Sequence, residues 1–76
     1  ETLQRTLDSI LSTHRHLYIR VERVRSRRTA KKIYIELFIA FPSDLPFGQV
    51  HTSVMTIKHA VSERFPGADI VVIPSL

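Results

Sequence analysis

The chain has 76 residues, 43% of them hydrophobic, with no cysteine and a formal charge of +4. That length supports one domain with a modest core, and that composition is globular rather than disordered. A disulfide framework and a thiolate metal site are both excluded, and no apolar run approaches the ~20 residues of a membrane helix. The chain opens at Glu1 with no initiator Met and no signal-peptide pattern, which predicts a single domain over residues 1–76 excised from something longer.

Leu3, Leu7, Ile10 and Leu11 follow the i, i+4, i+7, i+8 spacing of an amphipathic helix, predicting one from Thr2 to Thr13. Leu17, Ile19 and Val21 then alternate with Tyr18, Arg20 and Glu22, which predicts a strand over Leu17–Ser26. The apolar phase slips at Val24, so a bulge or twist is expected near Glu22-Arg23. The polar stretch Ser26–Lys31 reads as a turn. The strand that follows, Ile33 to Phe41, organises the rest. Ile33, Ile35, Leu37, Ile39 and Phe41 share one face at period two, while Tyr34, Glu36, Phe38 and Ala40 share the other. The first face suits the protein's own helices, and the second needs a different cover, for which a partner molecule is expected.

Pro42-Ser43-Asp44 closes that strand, and Ser43 or Asp44 is expected to cap the next helix, with Pro46 in its first turn. Val50, Val54, Ile57, Val61 and Phe65 form the stripe of a helix lying on a sheet, which Pro66-Gly67 stops. Asp69 to Ile73 reads as a short buried strand ended by Pro74. The order is α-β-β-α-β. A hairpin followed by a helical crossover lays the last strand parallel to the middle one. The expected fold is therefore an α+β open-faced sandwich: a three-stranded mixed sheet with two helices on one face, a truncated ferredoxin-like arrangement.

The basicity is local. Seven of the eleven Lys/Arg residues fall between Arg20 and Lys32, in one hairpin. A solvated edge and turn accounts for that, as would nucleic acid or anionic lipid. No enzyme signature is present: there is no Cys nucleophile, no G-x-S-x-G, no phosphate-binding glycine loop and no HExxH. His14 and His16 are too close in sequence to share a helical face and read as an ordinary exposed pair. His59 reads as a surface residue, and His51, in the first turn of the second helix, is a candidate ligand. Glu36, a carboxylate between Tyr34 and Phe38, is either paired with an arginine or used for binding. Arg20, on the matching face of the neighbouring strand, is the expected ion-pair partner.

Four pieces carry a resemblance: Val24-Arg25-Ser26-Arg27, Ile33-Tyr34-Ile35-Glu36-Leu37, His51, and Phe65-Pro66-Gly67-Ala68-Asp69-Ile70. With the α-β-β-α-β order, the run from Val21 to Ile73 resembles the cytosolic C-terminal domain of the cation diffusion facilitator transporters. The resemblance implies a domain on the cytosolic face of a membrane, below a six-helix membrane part of the same chain. There it would dimerise, bind divalent metal and regulate proton-coupled metal export. Glu22, Phe38 and the run Ile73-Pro74-Ser75 stand where the family often has ligands, and only His51 is retained.

The magnetosome (MamM-like) branch is more similar, through Glu22-Arg23-Val24-Arg25 and the aromatic-acid pair Tyr34 and Glu36. It implies iron transport into an organelle, with Glu36 a ligand near the dimer axis and Ile73 in place of a histidine. The implied sites are thus metal at Glu36 and His51 and a homodimer interface at Tyr34, Glu36 and Phe38, while His14, His16 and Glu22 are additional candidate donors outside what the resemblance implies. Carboxylate and imidazole suit Fe2+, Zn2+ or Mn2+ without choosing between them. The alternatives are a small basic α+β module that binds nucleic acid, although no RNP-type motif or GxxG loop is present, and a dimerisation module that needs no metal.

Overall fold

The computed structural model describes residues 2–75. In chain order they form α1 (Thr2–Thr13), a 3-10 turn (Arg15–Leu17), β1 (Arg20–Arg28), β2 (Ile33–Ala40), α2 (Phe47–Arg64) and β3 (Asp69–Ser75). The sheet order is β1-β2-β3, with β1 antiparallel and β3 parallel to the central β2. The α+β sandwich and its mixed sheet are as the sequence predicts.

The core lies between the helices and one sheet face. Leu3, Leu7, Ile10 and Leu11 of α1 and Val50, Ile57 and Val61 of α2 are buried with Ile35, Leu37, Ile39 and Ile70 of the sheet. Phe41, just past β2, closes the far end of that core and is itself almost fully buried. Each such side chain contributes about 1.5–3 kcal/mol through the apolar surface it removes from water. The period-two apolar face of β2 and the helical stripe of α2 thus meet as their spacing requires.

Several boundaries differ from expectation, each for a local reason. Residues before Arg20 do not join β1. The backbone N–H of His14 donates to Ile10 and Leu11 carbonyls, and that of Leu17 to the His14 carbonyl (3.0 Å), tightening the chain into a 3-10 turn. From that turn Leu17 packs against the core while Ile19 is left 52% exposed, so their alternation was not that of a strand. Tyr18 locks the turn by donating its hydroxyl hydrogen to the Leu11 carbonyl at 2.8 Å.

At the other end β1 runs on to Arg28, and the turn is shorter than the polar stretch suggests. The Thr29 N–H donates to the Lys32 carbonyl (2.8 Å), and the Thr29 hydroxyl oxygen accepts from the N–H groups of Lys31 and Lys32 (3.3 and 3.1 Å). Neither Ser43 nor Asp44 caps α2. The N-cap is Pro46, with no side-chain cap, and its carbonyl accepts from Gln49 and Val50. Pro74 does not end β3 either. Pairing continues to Ser75, whose carbonyl accepts from Phe41 N at 2.8 Å. On an edge strand a proline's missing N–H can face the unpaired side.

The bulge falls where the apolar phase slips. Val21 pairs with Ile39 and Arg23 with Phe38, so Glu22 is the extra residue. This lets Val21 and Val24, three residues apart, both pack toward the core.

Candidate functional site

The bulge decides what stands on the open sheet face. Beyond it, the outward positions of β1 are Arg23, Arg25 and Arg27, opposite Phe38, Glu36 and Tyr34 of β2. On the other side of β2, Ile73, Val71 and Asp69 stand opposite the same three residues. The face is therefore three rows: Arg23-Phe38-Ile73, Arg25-Glu36-Val71 and Arg27-Tyr34-Asp69.

The contacts follow the rows. The Arg27 guanidinium carbon lies 4.7 Å from the Tyr34 ring centroid, and that of Arg23 lies 6.0 Å from Phe38. Such stacking contributes about 0.5–1 kcal/mol at exposed sites. Arg25 stands 3.7 Å from the Glu36 carboxylate. Arg20, the partner expected from simple alternation, lies before the bulge, opposite Ala40, and instead pairs with Glu22 at 3.0 Å. The side chains of Arg25 and Glu36 are 58% and 43% exposed, so solvent screens the pair to about 1 kcal/mol or less.

Around this pair lies a shallow cavity of about 480 Å³, lined on the open face by Arg25, Arg27, Tyr34, Glu36, Asp69 and Val71. Asp69 is the residue that sequence reasoning missed. It opens β3 opposite Tyr34, one diagonal step from Glu36, and lines the same cavity. Its signal was faint, because Ile70 to Ile73 is a continuous apolar run that hides which residues face outward.

The other sequence-derived candidates lie elsewhere. His51 is exposed on the outer surface of α2, four residues from both Phe47 and Met55, which are themselves 80% and 48% exposed. His14 is half-buried at the end of α1, its Nδ1 2.9 Å from the Ile10 carbonyl, and His16 is exposed in the 3-10 turn. Glu22 is held by Arg20 in the bulge. His59 pairs with Glu63 one turn along α2, at 3.3 Å. Among the described residues no three His, Asp or Glu side chains group closely enough to hold a metal ion. One copy of the chain therefore offers Glu36 and Asp69 on the open face and His51 on another surface, and no complete ligand set.

Comparison with known proteins settles the family. The cation efflux protein cytoplasmic domain matches residues 1–73. The chain belongs to that family. This cation efflux domain shares its fold with solved MamM C-terminal domains. One, with a methionine replaced by leucine, is 15% identical, covers 99% of this chain and 98% of its own, and has a TM-score of 0.77. The cadmium form of an aspartate-to-glutamate variant is 18% identical over 99% of this chain and 94% of its own, TM-score 0.77. The copper form of an aspartate-to-histidine variant is 14% identical over 95% of each chain, TM-score 0.74. No curated protein matches the chain.

Proposed function

We propose that this cytoplasmic domain is the dimerising, divalent-metal-sensing regulator of a cation efflux transporter, and that two copies meet on the open sheet face. The observation that carries the reading is an apolar and aromatic surface that no helix of the chain covers. Tyr34, Phe38 and Ile73 are half-buried there, and Val71 is 46% exposed. Association would remove that surface from water.

Glu36 stands at its centre. An isologous pairing places a residue near a two-fold axis against its own copy. Two carboxylates so placed repel unless a cation lies between them. Divalent metal therefore favours the paired state by mass action, with Asp69 of each copy at hand to complete the oxygen donors. Oxygen and imidazole donors suit Fe2+, Zn2+ or Mn2+. The cadmium and copper forms of MamM domains with this fold support a divalent ion as the ligand. His51 would serve a second, separate ion with a donor from outside its own surface. In the whole transporter the paired state would act on the membrane part of the same chain, on the cytosolic side of a membrane such as that of the magnetosome, and so tune proton-coupled export.

The arginines favour a second reading. With Arg25 already beside Glu36, two copies can exchange these partners and pair with no metal at all. The nucleic-acid reading loses ground on the same face, because Arg27 of the chain itself already stacks on Tyr34, one of the two rings a base would use.

Sedimentation velocity on wild type, Phe38→Asp and Glu36→Ala, with metal and with chelator, tests both. The first reading expects metal to drive wild type to a dimer, Glu36→Ala to ignore it, and Phe38→Asp to stay monomeric. Dimers equally stable in chelator would favour the second reading. A wild type that is monomeric throughout would end both.

A further inference from the structure

The hairpin of β1 and β2 projects past the helical layer. Ser26 and Arg28 lie on the sheet face that carries Val24 nearer the helices, yet both are exposed, as are Arg25 and Arg27 on the opposite face. The β1 side of this end is thus open to water on both faces, while its β2 side keeps Ile33 against the core. The tip carries Arg25, Arg27, Arg28, Lys31 and Lys32, and no acid occurs between Glu22 and Glu36.

Apart from Arg25, these cations are unopposed. Among the described residues no carboxylate lies within 4 Å of Arg27, Arg28, Lys31 or Lys32. The tip is also fixed in shape, because the Thr29 side chain bonds both lysine amides and donates to the Lys32 carbonyl at 3.1 Å. Four unpaired charges are held at one rigid tip, where mutual repulsion would favour a looser turn. Arg27 is stacked on the Tyr34 ring, and among the described residues no ion pair or ring contact engages Arg28, Lys31 or Lys32.

We propose that this tip is a docking surface for a membrane rich in anionic lipid. Arg25 and Arg27 border the shallow cavity of the open face, whereas Arg28, Lys31 and Lys32 stand exposed at the turn outside it, a placement that suits a plane of headgroups better than a tracked nucleic-acid strand. A cytoplasmic domain of an efflux protein works beside a membrane, so such a plane is within reach. Each cation brought to the surface strengthens binding about fivefold. Docking would tether the domain's basic end and set the angle at which its open sheet face is presented. The inference stands apart from metal binding.

The test is flotation of the 76-residue chain with vesicles of phosphatidylcholine alone and of phosphatidylcholine with phosphatidylglycerol. Wild type should float only with the anionic vesicles and be released by salt. The triple variant Arg28→Gln, Lys31→Gln, Lys32→Gln should bind about 100-fold more weakly, while keeping the wild-type urea midpoint. A control with Arg5→Gln, Lys58→Gln and Arg64→Gln has the same net charge and should bind much more tightly than the tip variant. Equal binding to both vesicle types, equal losses in the two variants, or an oligonucleotide that stays bound at salt releasing the vesicles would each overturn the proposal.

Discussion

Arg25 and Glu36 face each other across β1 and β2 with 3.7 Å between guanidinium and carboxylate, and the bulge at Glu22 brings them together. The pair does little for stability because both groups are largely hydrated. Its consequence is for ligands: any cation that binds Glu36 must displace a cation already beside it. Arg25→Ala should therefore leave the unfolding free energy, from urea melts, within about 1 kcal/mol of wild type. The same variant should tighten divalent-metal binding several-fold in a calorimetric titration. Unchanged or weaker binding would show that Arg25 does not compete.

The core makes a harsher prediction. Ile57 is fully buried between α2 and the sheet. Ile57→Ala should cost about 2–5 kcal/mol, from lost transfer energy and the cavity left behind. Small domains start from about 5 kcal/mol at the low end, so the variant should melt at a much lower urea concentration than wild type, read by circular dichroism, and an unchanged midpoint would contradict its place in the core.

Tyr18 adds a pH dependence. Burial raises its phenol above the ordinary value of 10.0, a shift that Arg15 partly opposes. The folded state therefore holds this proton more tightly than the unfolded chain does. The resulting stability is fully present below pH 10.0 and is lost as pH rises through the higher folded value. Tyr18→Phe should abolish that alkaline limb in urea melts. It should also cost about 1 kcal/mol or less at neutral pH, because the Leu11 carbonyl loses the phenol hydrogen bond but keeps the His14 N–H.

The two glycines should respond oppositely to alanine. Gly67 has φ +82, in the turn between α2 and β3. An added Cβ there meets nothing within 4 Å, so the cost of Gly67→Ala is the backbone alone, about 1–2 kcal/mol. Gly48 lies in the first turn of α2, also with open space around it. Gly48→Ala should stabilise by up to about 1 kcal/mol. Thermal melts of the two variants should move in opposite directions.

Much of this fold was legible because its periodicities are long. The β2 alternation and the α2 stripe each span enough residues to name their buried faces, and the slip at Val24 marked the bulge. What failed depended on single hydrogen bonds and on short apolar runs. Leu17 and Ile19 mimic a strand, but the chain there is tied down by His14 and Tyr18. Pro74 reads as a terminator only until its strand is known to be an edge. The bulge was foreseen, but its effect on partner choice was not carried through. One extra residue passes Glu36 from Arg20 to Arg25 and lines up three arginines on the open face. Asp69 stayed hidden because Ile70 to Ile73 shows no alternation.

The central claim is that the open sheet face is where two copies meet, with a divalent cation between their Glu36 carboxylates. The most direct measurement is small-angle scattering of the wild-type chain during a metal titration, repeated on Glu36→Ala. The account predicts that metal converts wild type to a compact dimer of twice the monomer mass and leaves Glu36→Ala unchanged. A wild type that binds metal yet keeps its monomer mass, or a Glu36→Ala variant that dimerises just as readily, would contradict it.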